Sequence, residues 1–240
     1  TALAPVAAEL SRHTRNAVHV ITTFDSGGSS AELRRAFDMP AVGDIRARIM
    51  ALADRSLEGN SETVELLGYR LPKDAGPEAL HRELASLASG AHPLVAAIPE
   101  PMNEVVTQHL SAFRSLMPVD MDLAGASIGN LILTSGYLSL DRQLEPVVRV
   151  FSGMVQARGV VMPVADSCAH LCVRLENGEV IVGQHRFTGK TATAITSPIL
   201  DMWLSASLDD PSPVSVPIQP RLAHVIRTAD LICYPVGSFF

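Results

Sequence analysis

The run Ala17–Phe24, AVHVITTF, leads directly into Asp25–Ser30, DSGGSS. The first part is rich in β-branched residues and has the length of a strand. The second is a glycine turn ending in hydroxyl residues. Ser29 and Glu32 have capping-box spacing, which predicts a helix over Ala31–Phe37. Strand, glycine turn, helix is the opening unit of an open α/β sheet, and such sheets bind ligands beyond the carboxyl ends of their strands. Asp25 stands at that end. Pro40 and Gly43 then break the chain, and Asp44 is placed to cap a second helix with Ile45, Ile49 and Leu52 on one face.

Reading outward, Thr1–His13 predicts a helix with Thr1 at its cap. The middle is helical: Pro77 opens a segment over Glu78–Ala88, and Met102, Val106, His109, Phe113 and Leu116 repeat at helical spacing. Ser127–Leu138 and Leu144–Arg158 follow, the latter closed by Gly159. The last third turns β. Val160–Val164 is a short apolar strand, and Leu171–Val182 is a hairpin turning at Asn177-Gly178. The proline-rich stretch Asp209–Pro220 reads as a loop, Arg221–Thr228 as a helix and Leu231–Tyr234 as a strand. Trp203 and the stripe from Met102 to Met117 read as core. The abrupt helical start and the apolar Phe239-Phe240 end lead to the expectation of further chain on both sides.

Composition limits the function. The 240 residues carry 19 basic and 25 acidic side chains, a net charge of −6 that offers no basic stripe for nucleic acid. Hydrophobic residues make up 47% and charged residues only 18%, which excludes a disordered chain. No apolar run approaches the roughly 20 residues that span a bilayer, and no signal peptide is seen. Three cysteines are too few and odd in number for a disulfide framework. The expectation is a cytoplasmic protein with neither nucleic acid nor membrane as partner. The low charge points to buried parallel strands or to a homodimer interface.

The chemistry gathers at Thr22–Arg46. Gly27 and Gly28 let backbone approach a ligand, and Ser29 and Ser30 stand at a helix N-terminus, a ready anion site. Asp25 and Asp44 beside it suggest a hard divalent cation shared with substrate oxygens. An ordinary glycine turn with a capping Asp is the plain alternative. Gly125-Ala-Ser127-Ile-Gly129 matches the G-x-S-x-G nucleophile elbow, with Asp201 or Asp209 and His224 in the right order. The other reading of Ser127, Gly129 and Asn130 is a second anion site at a helix start. Gly189-Lys190-Thr191 fails P-loop spacing, because Gln184 stands where glycine is required. Cys168, His170 and Cys172 share one strand face and read as core rather than as a metal site.

Together these segments resemble the CofD/YvcK-like family. Asp25–Ser30 with Leu33-Arg34-Arg35 is similar to that family's DDGGSSG…LRR, and Gly43-Asp44-Ile45-Arg46 to its GDIR. Ser127-Ile-Gly129-Asn130-Leu131 is similar to HSLGNL, Gly159–Val164 with His170-Leu171 to RG-x-V-x-P-V…HL, and Ala229–Ile232 with Gly237-Ser238 to AD-x-I and GPGS. The resemblance implies one nucleotide-binding domain over residues 1–240, a Rossmann-like α/β/α fold with a mostly parallel sheet and a C-terminal β-hairpin. It also implies a Gly-Gly-Thr-Gly loop at the N-terminus, with Thr1 just inside it.

Two activities are implied. One branch of the family moves a phospholactyl group from a guanosine-diphosphate-activated donor to a deazaflavin, using a divalent metal on two aspartates. The other binds a UDP-sugar and regulates carbon metabolism and cell shape. Carried over by motif, Asp25 and Asp44 are the catalytic and Mg²⁺-binding pair. Thr1, Gly27, Gly28, Ser29, Ser30, Arg46, Ser127, Gly129, Asn130, Gly237 and Ser238 hold a nucleoside diphosphate or nucleotide sugar. The sequence departs at Ala31, Ala47, Ala126, Pro235 and Val236. Its GGSS and GDIR wording leans to the regulatory branch.

Overall fold

The computed structural model describes residues 4–188, 195 and 197–234. Helix α1 (Ala4–His13) precedes β1 (Val18–Ile21). Helices α2 (Gly28–Phe37) and α3 (Gly43–Leu52) follow. A helical body is built from α4 (Asn60–Gly68), α5 (Pro77–Ala88), the single turn α6 (Pro93–Ala96), α7 (Met102–Leu116), α8 (Ile128–Ser139) and α9 (Leu144–Met154). Strand β2 (Val160–Pro163) then returns beside β1, in parallel, with Val18 opposite Val160 and Ile21 opposite Pro163. Helices α3 and α9 pack against this pair. The architecture is Rossmann-like α/β, with the connection from β1 to β2 enlarged into the helical body.

Helix α8 is the axis of that body. Every residue from Ile128 to Tyr137 is buried, because α2, α3, α4, α7 and α9 all lie against it. Its sequence is apolar around most of its circumference, as full burial requires. Val106, Leu110 and Phe113 of α7 and Leu80, Leu84 and Leu87 of α5 fill one flank. The ends of the α7 stripe differ from expectation: Met102 and Met117 are half-buried, and Leu116 is exposed where the helix runs past its partners.

The hairpin forms where Asn177-Gly178 predicts it, between β3 (His170–Leu175) and β4 (Val180–Val182). A third antiparallel strand, β5 (Ile199–Ser205), joins its other edge. Trp203 on β5 is half-buried, not core. Its indole lies under the Arg174 guanidinium at 5.6 Å, and its N–H donates to the Pro211 carbonyl. Cys172 is buried on β3, but His170 is half-buried and Cys168 lies before the strand and is half-buried, so the face expected as core is core only at Cys172. After the turn α10 (His185–Thr188), the closing helix is α11 (Pro220–Thr228). Leu231–Tyr234, expected as a strand, is irregular, with Leu231 and Tyr234 exposed. No strand among the described residues pairs with it, and β propensity alone forms no ladder. No helix among the described residues is long and apolar enough to cross a membrane.

Candidate functional site

Three helices begin at one place. Ser29 and Ser30 lie in the first turn of α2, Gly43 is the first residue of α3, and Asn130 lies in the first turn of α8. The Asn130 amide nitrogen donates to Ser29 Oγ at 3.1 Å. A Cβ added at Gly43 would stand 2.8 Å from Ser30 Oγ and 3.8 Å from the same amide. None of the three helices has a side-chain cap, so N–H groups of their first turns are left to other partners. The expected capping box is absent: α2 starts one residue earlier than Ser29, at Gly28 with φ +55°, and Gly27 is its N-cap. Ser29 is thereby freed to face Asn130. Glu32, freed likewise, accepts from Arg35 and from the Asp122 N–H.

The strand-end loop is tied down from two sides. Asp25 Oδ1 accepts the Gly27 N–H at 3.0 Å. The buried Arg34 reaches back from α2 to the Phe24 and Asp25 carbonyls, and across to the Ala169 carbonyl at 2.6 Å. Arg34 thus clamps the end of β1 to the start of β3. The motif reading included Arg34 in LRR but gave it no role. Its spacing alone carries no sign of burial.

Asp44 follows Gly43 and is half-buried. Burial pushes its carboxyl above the ordinary range, and the Asp25 carboxylate pushes it the same way, while Arg48 and Arg46 draw it back. Two acidic groups therefore oppose one another across the start of α3. Arg46, two residues on, donates to the Leu67 carbonyl and lies across Gly129, where a Cβ would stand 2.7 Å from its Cδ. Burial first, then the charge of Arg70, lowers Arg46 to about 10. Arg70 is a residue that the motif reading missed. It donates from one nitrogen to Ser29 Oγ at 3.2 Å and to the Gly125 carbonyl at 3.0 Å. It sits in no recognisable motif, between a helix and a proline.

The serine-hydrolase alternative fails on geometry. Ser127 is the N-cap of α8 with φ −86° and ψ 124°, an ordinary extended conformation rather than a strained elbow. The segment before it is a turn, not a strand, and its Oγ is fully buried without a hydrogen-bond partner among the described residues. The serine that does meet an imidazole is Ser26, whose Oγ lies 2.7 Å from His185 Nδ1 and accepts the His185 N–H. Ser26 and His185 line a cleft of about 680 Å³ beside Asp25 and the start of α2. A smaller one of about 240 Å³ opens on the other side of that helix start, along Ser29, Met121 and Ala126. Thr1, Gly237 and Ser238 lie outside the described residues, as do Gly189, Lys190 and Thr191.

The sequence profile of the family described as 2-phospho-L-lactate transferase CofD matches residues 1–240. The chain belongs to the CofD family. Proteins similar to it include an uncharacterised protein of Saccharomyces cerevisiae, YNL011C, 31% identical over 71% of this chain and 39% of the yeast protein. The gluconeogenesis factor of Bacillus subtilis is 26% identical over 92% of this chain and 50% of its own length. The chain thus spans half or less of the curated relatives it matches. A crystal structure of a UPF0052-family protein from Bacillus halodurans superposes with a TM-score of 0.64 at 20% identity, covering 96% of this chain and 54% of the other. That likeness establishes the shared fold of this CofD-family chain.

Proposed function

We propose that this chain binds the diphosphate of a nucleotide where α2, α3 and α8 begin, and that it transfers a phospholactyl-type group from a nucleoside-diphosphate-activated donor to an acceptor hydroxyl. The observation that carries the reading is the meeting of these uncapped N-termini around Ser29, Ser30, Gly43 and Asn130. The buried Ser127 hydroxyl and the Asn130 Oδ1 acceptor, which have no partner among the described residues, belong to the same N-termini and suit a polar ligand. Membership of the CofD family supports the reaction class.

Asp25 and Asp44 suit a hard dication, because their mutual repulsion and the reluctant ionisation of Asp44 are both relieved by positive charge. Among the described residues no group of three or more acidic, His or Cys side chains surrounds a common point. Mg²⁺ would accordingly rest on these two carboxylates and take its other ligands from water and phosphate oxygens. When bound it supplies neutralisation of phosphate charge. The chain's own groups do the rest. The helix N-termini hold the phosphates, and Arg46 and Arg70 offset their charge. The acceptor oxygen bonds to the phosphorus, the bond from that phosphorus to the bridging oxygen breaks, and a nucleoside monophosphate leaves. The acceptor's proton passes to the Asp25 or Asp44 carboxylate facing it.

A second reading is a UDP-sugar sensor without turnover, favoured by relatives named gluconeogenesis factor. Melting shifts with GDP and with UDP-N-acetylglucosamine, each with and without Mg²⁺, separate the two. A ligand at a hundredfold excess over Kd adds about 2.7 kcal/mol of stability. A Mg²⁺-dependent shift with GDP supports the transferase. A metal-indifferent shift confined to the UDP-sugar replaces it with the sensor, and no shift with either overturns both.

A further inference from the structure

Arg70 and Arg46 face the same helix starts, and their arrangement is unusual for cations. Among the described residues neither forms an ion pair. Arg46 is half-buried, and its Nε is buried without a partner among the described residues. Each guanidinium instead spends its visible bonds on neutral oxygens: Arg46 on the Leu67 carbonyl, Arg70 on the Gly125 carbonyl and Ser29 Oγ. Like charges held near one another cost stability in the absence of an anion, and Asp44 offsets the charge of Arg46 only through space, without an ion pair.

The backbone shows why Arg70 is held there. Tyr69–Leu71 is extended and pinned to the chain that leads into α8. The Ile128 N–H donates to the Tyr69 carbonyl at 3.0 Å, and the Leu71 N–H to the Ala126 carbonyl at 2.9 Å, so Arg70 bridges directly to Ser127. The arginine is therefore built on the same frame as the N-cap of α8. Arg46 lies inside, packed across Gly129, while Arg70 is exposed at the rim with its guanidinium on Ser29. A single phosphate at the helix starts is within the province of the N–H groups, Asn130 and Arg46. A second phosphate placed toward the rim would meet Arg70, which stands exposed there on Ser29.

We propose that Arg70 is the specificity residue for the outer phosphate, making the site selective for a diphosphate over a monophosphate. The inference rests on the diphosphate reading above and deepens it. A guanidinium presents a fork to a phosphate and forms charge-assisted bonds that a neutral group lacks. A transferase gains from this arrangement, because the donor carries the outer phosphate and the released nucleoside monophosphate does not. Donor is then held and product let go by the same side chain.

The test uses inorganic pyrophosphate and inorganic phosphate with Mg²⁺, measured by calorimetry on the wild-type chain and on Arg70→Gln and Arg70→Lys. The wild type is expected to bind pyrophosphate at least about tenfold more tightly than phosphate. Arg70→Gln should lose about tenfold to a hundredfold in pyrophosphate affinity, with phosphate changed by less than about threefold. Arg70→Lys, which keeps the charge and loses the fork, should fall between. An equal loss of both ligands, or of neither, overturns the assignment of Arg70 while leaving the diphosphate site standing. Lack of pyrophosphate binding by the wild type overturns the diphosphate site itself, and Arg70's role with it.

Discussion

Asp44 carries a residue-scale test of whether the acidic pair is built for a ligand or for the fold. Its carboxyl is raised first by burial and then by Asp25. A group raised above its unfolded value favours the folded state below the unfolded value, and that contribution is lost as pH rises through the folded value. At neutral pH the ionised Asp44 is thus a burden on the folded chain. Asp44→Asn is expected to leave the melting temperature at pH 7 unchanged or higher, and to abolish the Mg²⁺-dependent part of the nucleotide shift. A large drop in melting temperature without ligand would show instead that Asp44 is a structural group. The sequence made Asp44 visible through GDIR, and Asp25 and Asn130 through their own motifs. It could not reveal Arg70 or His185, because a lone Arg or His outside a motif looks the same whether it faces solvent or a site.

At the scale of elements, the start of α8 depends on how closely α3 and α4 approach it. A Cβ at Gly129 would stand 2.6 Å from the Leu67 carbonyl oxygen and 2.7 Å from Arg46 Cδ. The first of these neighbours is backbone and cannot swing away. Gly129→Ala should therefore cost about 1–3 kcal/mol of stability by overpacking. It should also weaken anion binding, because Arg46 is displaced with it. Urea unfolding measures the first, and pyrophosphate calorimetry the second. An unchanged unfolding midpoint would mean that α8 has room to shift. Most of the longer helices were legible from periodicity because an amphipathic or fully apolar pattern states its own period, whereas α4 was not anticipated. Helix starts were less legible. Ser29 and Glu32 have the spacing of a capping box, yet tertiary partners on Arg70, Asn130 and Asp122, and Arg35 one turn on in the same helix, outcompete it.

Across the whole molecule, three half-buried imidazoles contribute to the response to acid. Burial, then the Arg34 charge, lowers His170 to about 4 from an ordinary 6.5. Burial also lowers His19 and His109, with Arg48 acting further on His19. Between 6.5 and about 4 the unfolded chain binds a proton at His170 that the folded chain refuses. That contribution is fully present above the unfolded value and is lost as pH falls through this window. Asp44 and Asp166, both raised, act in the opposite sense. His170→Gln is expected to flatten the fall in the urea midpoint between pH 7 and pH 4.5 relative to the wild type. An unchanged slope would assign the acid response to other groups.

By itself the sequence determined the class of fold, the order of most elements, the hairpin at Asn177-Gly178 and the motifs that mark the helix starts. These are local properties: periodicity, turn chemistry and spacing act within a few residues of themselves. Only the tertiary structure decided that α2, α3 and α8 begin at one point, that Ser127 is sealed in rather than offered as a nucleophile, and that Arg70 stands on Ser29. Residues 29, 43, 70 and 130 are far apart along the chain. What brings them together is the packing of five helices around α8, which each segment on its own does not encode.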